Sequence, residues 1–382
     1  ELSNKRLVLI LAFLAAIIFS ISYFNSYYID YERLISVNQY LLTLLIAVSF
    51  LRLIATPKKQ VGAKLPKGKS SFLKTYFKVH LFGSIINMSS LLIVADKMYK
   101  KNKLNDLQLI LLTRAFSTDA LWSMFFVAFA ATITYAPNLQ EEIVIVNGLL
   151  IAFFAFVITY FEVTRDKRFD IDSFKGYPLS LSSLVLPLCL AIMVLIAKYF
   201  NSDLKVILLI SLFSFLLTLI VLTFKERKKS VDIMKSFVLD NLANMKNEIA
   251  LFLVAGVFGV LVGTLLVGLE IEVPFKEFDV FWASALLAFF VILSFIGVHP
   301  VITIAAIGDF LSGTNHTVLA VVFLISWAIT VATSPFSGLN LTMVSRYKID
   351  TLKIFKLNIY YSIKIYIISV FCLYILLNFI KL

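Results

Sequence analysis

The chain has 382 residues, of which 60% are hydrophobic and only 15% charged, with a formal net charge of +12. A water-soluble globule of this composition would hold more apolar side chains than its core could hide, so the solvent must be a bilayer. Nucleic acid is excluded as a partner, because Lys and Arg fall in short clusters between hydrophobic runs and do not line one face.

A membrane span needs about 20 apolar residues. In chain order, runs of that kind lie at 6–24, 36–55, 146–162, 179–200, 205–224, 249–269 and 357–380. The first follows Lys5 and Arg6 as a signal peptide would, but it has full span length and lacks an A-x-A cleavage site, so a retained helix is expected. Four further stretches are interrupted. Of these, 72–98 breaks at Asn87-Met88-Ser89-Ser90 and 280–312 at Gly297-Val298-His299-Pro300. The other two, 104–135 and 316–346, are long enough to cross but break at Ser117–Ser123 and Thr333–Gly338. The segment 225–248 spaces Val231, Met234, Phe237, Val238, Leu242 and Met245 at helical intervals, as a cytoplasmic helix on the membrane surface would. Cys189 and Cys372 lie in apolar runs without CxxC or metal-binding spacing and read as small hydrophobes.

The interrupted stretches look alike in pairs. Between 81–135 and 295–347, Gly83 matches Gly297, Asp96 matches Asp309 and Ser123 matches Ser334. Loop charge decides how they thread, since cytoplasmic loops are enriched in Lys and Arg. The basic loops are 56–71, 97–103, 163–178, 225–248 and 346–356, while 25–35, 136–145, 270–279 and 313–317 are poor in Lys and Arg. Placing every basic loop inside makes 72–98 a hairpin entering from the cytoplasm and 280–312 a hairpin entering from outside. The crossings between them are 104–135, 146–162, 179–200, 205–224 and 249–269. That odd number turns the second copy upside down.

The expected fold is therefore an all-α polytopic membrane protein with inverted-topology repeats: about nine spans plus two re-entrant hairpins, with two broken helices among the spans. The first repeat is 1–162, with scaffold 1–55, hairpin and broken helix 72–135 and span 146–162. A linker, 163–204, carries span 179–200. The second repeat is 205–382, with scaffold 205–269, hairpin and broken helix 280–346 and span 357–380. The same loop rule puts the N-terminus in the cytoplasm, and the expected location is the bacterial inner membrane.

Unpaired backbone groups in hydrocarbon cost several kcal/mol each, so these breaks survive only where they line a cavity or are buried in protein. Four breaks brought together would offer helix ends to an anion and free carbonyls to Na⁺ or a proton carrier. The first hairpin tip supplies Asn87, Ser89 and Ser90, and the first broken helix supplies Ser117, Thr118, Asp119 and Ser123. The second hairpin supplies His299 with Pro300, and the second broken helix Thr333, Ser334 and Ser337. Small hydroxyl residues also serve helix packing. Arg114 either holds an anionic substrate or pairs with Asp119. Asp119 carries a coupling proton, helps hold Na⁺, or caps the following half-helix. His299 serves proton coupling or structure. Any Na⁺ would sit near Asn87, Asp119 and Thr333. Asp96 and Asp309 read as solvated caps, and Arg52, Lys198, Arg346 and Lys364 as side chains snorkelling from span ends.

Two interrupted hairpins and two broken helices in inverted order resemble the ion transporter superfamily, in particular its divalent anion:sodium symporter branch. That branch carries a Ser-Asn-Thr triplet at each hairpin tip. The matching positions here read Asn87-Met88-Ser89 and Val298-His299-Pro300, so the triplet is absent from both. The resemblance implies a homodimer joined through scaffolds and an elevator mechanism. The hairpins, the broken helices and spans 146–162 and 357–380 would then slide as a transport domain.

The expected function is secondary active transport of a small organic anion, with Na⁺ or H⁺ as coupling ion and no bound cofactor; the alternative is a translocase for a lipid carrier or lipid-linked precursor. An enzyme is not expected: HExxH, GxSxG and paired intramembrane Asp motifs are missing, and His80, His299 and His316 have no ligand spacing.

Overall fold

The computed structural model describes residues 2–55, 66–99, 103–177 and 185–379. Lys58, Lys59, Lys64, Lys100 and Lys101 of the basic loops, and the start of the run 179–200, lie outside the described residues, as do the side chains of Ser89 and Ser90. The described secondary structure is helical. Its α-helices are α1 (Leu2–Phe24), α2 (Tyr31–Ser36), α3 (Gln39–Phe50), α4 (Arg52–Ala55), α5 (Lys69–Ile86), α6 (Met88–Tyr99), α7 (Asp106–Ser117), α8 (Val127–Tyr135) and α9 (Glu141–Arg165). There follow α10 (Val185–Phe200), α11 (Val206–Glu226), α12 (Ser230–Ser236), α13 (Lys246–Gly268), α14 (Val280–Phe295), α15 (Pro300–Gly308), α16 (His316–Thr333), α17 (Gly338–Tyr347) and α18 (Thr351–Phe379).

Seven helical stretches among the described residues are long and apolar enough to cross a membrane: Lys5–Phe24, Tyr31–Ile54, Glu141–Arg165, Val206–Leu242, Lys246–Gly268, His316–Tyr347 and Thr351–Phe379. The chain is therefore an all-α polytopic membrane protein. Lipid-facing and buried helices differ sharply. In α1, Leu9 and Phe13 are 60% and 67% exposed, as an apolar face turned to acyl chains would be. In α16 every residue from Thr317 to Thr333 is buried, which makes it the central helix.

Packing sorts the helices into two groups. α16 touches α7, α8, α9, α14, α17 and α18, whereas α1 packs on α13 and α3 on α11. Helices α8 and α15 connect the groups, α8 through α3 and α15 through α13.

Local chemistry explains where helices start and stop. Asn105 and Gln108 form a reciprocal capping box at the start of α7, and Asn315 accepts from Thr317 N and Val318 N at the start of α16. Asp279 caps α14 through Trp282 N. α5 ends where Asn87 turns left-handed, with φ of 54°. α15 begins with Pro300, whose missing N–H costs nothing in a first turn.

The expected surface helix at 225–248 is a series of short turns. A 3₁₀ turn at Arg227–Lys229 leads into α12, a π-helical stretch at Phe237–Leu242 and a second 3₁₀ turn at Ala243–Met245. Phe237 is buried while Val231 and Leu239 are exposed.

Candidate functional site

The breaks are built the same way twice. After α7 the chain tightens into a 3₁₀ turn at Thr118–Leu121, and the hydroxyl of Ser123 donates to Ser84 O in the last turn of α5 while accepting from Phe125 N at 3.2 Å. After α16, the hydroxyl of Ser334 donates to Ser294 O in the last turn of α14 at 2.6 Å and accepts from Phe336 N at 3.2 Å. Three residues beyond each accepting carbonyl the hairpin turns through positive φ, at Asn87 (54°) and at Gly297 (109°). Asn87 also donates to Phe125 O at 3.4 Å, whereas Gly297 packs against the Phe336 ring. The contacts thus pair Ser84 with Ser294 and Asn87 with Gly297. The letter match of Gly83 with Gly297 is therefore out of register.

The second break is closed by amides and hydroxyls. Ser337 caps α17 by accepting from Asn340 N at 3.2 Å, and Asn340 Nδ2 reaches back to Ser334 O at 2.9 Å. Asn340 Oδ1 is buried without a partner. Thr333 bonds with Ser362 of α18. His299 caps α15 by accepting from Val301 N at 3.2 Å, and its ring lies edge-on to Trp327, 5.7 Å away.

The first break holds a buried polar cluster. Asp119 is completely buried, and neither of its carboxylate oxygens receives an aligned hydrogen bond. His80 Nδ1 of α5 lies 2.8 Å from Asp119 Oδ1 and 3.1 Å from Thr118 Oγ1. Trp122 Nε1 donates to His80 Nε2 at 3.2 Å. A Cβ at Gly83 would lie 2.0 Å from Asp119 Oδ2, so only glycine lets α5 approach this closely. Ser117 and Thr118 turn their hydroxyls back to Arg114 O, each at 3.1 Å, which braces the end of α7.

Arg114 is directed away from Asp119. Its Nη1 donates to Glu162 Oε2 of α9 at 2.6 Å, Nε to Asn358 Oδ1 and Nη2 to Leu357 O, both at 2.9 Å, and the guanidinium stacks 4.2 Å from the Tyr361 ring centroid. Lys364 also reaches Glu162 from within α18 and not from a span end. Two cations share one carboxylate in this network.

Asp96 and Asp309, expected as solvated caps, are ion-paired across the chain: Asp96 with Arg346 at 2.7 Å, and Asp309 with Arg33. Asn87, Asp119 and Thr333 each engage a different partner set, and the described contacts do not join them into one Na⁺ site. Among the described residues no three His, Cys, Asp or Glu form a metal cluster.

Sequence reasoning missed His80, Trp122, Gly83, Glu162 and Asn358. Trp122 follows the 3₁₀ turn of the break and the others sit in long helices, and only the spacing of His80 three residues before Gly83 on one hairpin arm marks it. A described cavity of about 580 Å³ lies elsewhere, near the ends of α14, α15 and α18, with Lys276, Glu277 and Asp279 in its wall.

No protein-family model matches this sequence, and no curated protein matches it.

Proposed function

We propose that the chain is a secondary active transporter that moves a small organic anion by alternating access, coupled to Na⁺ or H⁺. The observation that carries this reading is the doubled hinge: Ser123 on Ser84 O and Ser334 on Ser294 O, each beside a positive-φ hairpin turn. Chain breaks buried at membrane depth are tolerated where they line a pathway, and two equivalent breaks favour an inverted repeat around one midplane site. The loop-charge threading adds opposite directions to the two copies. α8 starts at Val127, and its N-cap Phe126 gives no side-chain cap, so its first-turn N–H groups and positive dipole end suit an anion.

The two packing groups support an elevator-type division. In this reading α16 with α7, α8, α9, α14, α17 and α18 and the hairpins forms the moving body, and α1, α3, α10, α11 and α13 form the scaffold and the homodimer contact. The translocase alternative calls for a basic pocket at the outer leaflet. The cavity described above, on the acid-bearing side of the loop pattern, carries one Lys against two acids.

The test is uptake into proteoliposomes of a panel of labelled mono-, di- and tricarboxylates under imposed Na⁺ or H⁺ gradients. The reading expects at least one substrate to accumulate only when a gradient is present. Identical uptake with and without gradients across the panel contradicts it.

A further inference from the structure

The cluster at the first break goes beyond a generic coupling ion. Trp122 Nε1 is a donor only, so its bond to His80 Nε2 requires that nitrogen to be unprotonated. The ring proton is then on Nδ1, where Ala115 O at 3.1 Å is the aligned acceptor and Asp119 Oδ1 lies 2.8 Å away without alignment. His80 is held neutral by the indole N–H, because an imidazolium would set one N–H against another. A neutral imidazole supplies no counter-charge to Asp119. A fully buried carboxylate without an aligned hydrogen bond needs a proton or a cation of its own. On the Oδ2 side, α5 is packed so closely at Gly83 that even a methyl group overlaps, which leaves no room there for a hydrated ion.

The groups on the surrounding elements leave this charge uncompensated. On α5, Tyr76 is buried beside Thr118, and the Lys78 ammonium lies over the Phe82 and Tyr177 rings. Arg114 on α7 is engaged by Glu162 on α9 and stacked on Tyr361 of α18. α16 brings no ionisable side chain between Thr317 and Thr333, and α8 brings only Tyr135, at its far end.

We propose that Asp119 takes up and releases the coupling proton, with His80 as its positioning residue and Trp122 fixing the tautomer of His80; this rests on the transporter reading. One H⁺ adds to a carboxylate oxygen, forming an O–H bond and taking the pocket from one negative charge to neutral. Release breaks the same bond, and nothing is oxidised or reduced. The 3₁₀ turn that carries Asp119 packs on α5, α7, α9 and α16, all within the moving body, so displacement of that body against the scaffold changes which side reaches the carboxyl.

The test is infrared spectroscopy of the full chain in lipid nanodiscs, without substrate, titrated from acid to alkaline pH in NaCl and in Na⁺-free buffer. The expected result is a protonated-carboxyl C=O band that vanishes on alkalinisation, is absent from Asp119→Asn and is indifferent to Na⁺. Trp122→Phe frees Nε2 for a proton, so the acid-pH band weakens as an imidazolium–carboxylate pair replaces the neutral acid. In proteoliposomes, Asp119→Asn is expected to lower proton-driven uptake of labelled succinate or citrate by at least about tenfold. Absence of a titrating band, its survival in Asp119→Asn, or Na⁺-driven uptake indifferent to pH overturns the proposal with the transporter reading intact. Uptake of no carboxylate under any gradient removes the transporter reading and the coupling role together, and the infrared band then marks a proton site without transport.

Discussion

Gly83→Ala is the sharpest perturbation of the first break. The added Cβ would lie 2.0 Å from Asp119 Oδ2 and 2.9 Å from Phe116 Cδ2, where ordinary contact begins at 3.4 Å. The carboxylate must therefore withdraw by 1.4 Å, the difference between 3.4 and 2.0 Å, or α5 must move. Overpacking of this kind costs about 1–3 kcal/mol, and Ala regains about 1 kcal/mol of helix propensity over Gly. Net destabilisation stays within about 2 kcal/mol, so the protein folds. A displacement above 1 Å at a working group, by contrast, lowers rates by about 100-fold. The assay pairs the thermal unfolding midpoint in detergent with initial uptake rates in proteoliposomes. The expected outcome is a modest loss of stability with a large loss of gradient-driven uptake. Gly338→Ala is the control: nothing lies within 4 Å of its would-be Cβ, and both readouts are expected to stay near wild type. Wild-type uptake by Gly83→Ala would refute the placement of Asp119 at the working centre.

The doubled hinge makes a symmetric prediction: Ser123→Ala and Ser334→Ala each leave a last-turn carbonyl without its donor, at about 1–2 kcal/mol, and both are expected to slow uptake. If one is silent and the other severe, the two breaks are not equivalent. Arg114→Lys keeps the charge but loses the three-way fork to Glu162, Asn358 and Leu357 O, with an expected cost of about 1.5–3 kcal/mol in stability and an unchanged KM. A raised KM with normal folding would instead make Arg114 a substrate ligand. Asn340→Asp places a charge where a buried Oδ1 has no partner and is expected to abolish function with loss of folded yield on size exclusion.

Most of the span-length helices were legible because long apolar runs mark them, whereas the expected spans 104–135 and 179–200 are not among the seven described stretches of that length. The breaks were legible too, since Ser, Gly and Pro interrupt the runs at Asn87, Ser117–Ser123, Gly297–Pro300 and Thr333–Gly338. Their register was not. Matching letters aligned glycine with glycine, whereas the geometry reuses a positive-φ turn that Asn87 fills on one side and Gly297 on the other. Side-chain pairings were hidden for a different reason. Glu162 and Lys364 look like isolated ionisable residues in long spans, and only the fold brings both to Arg114 or its partner. His80 carries no spacing to Asp119 in sequence, because its proximity comes from α5 lying across the 3₁₀ turn. His299, the more conspicuous histidine, is a helix cap.

The most direct test of the central claim, that the breaks open to each side in turn, is maleimide labelling of Gly338→Cys in a background with Cys189 and Cys372 replaced. This position has open space around it in the second break. A membrane-impermeant maleimide added to either face of oriented proteoliposomes is expected to label it, with the reactive face switching when the proton gradient is reversed. Labelling from one face only under every gradient, or from neither, would contradict alternating access at the breaks.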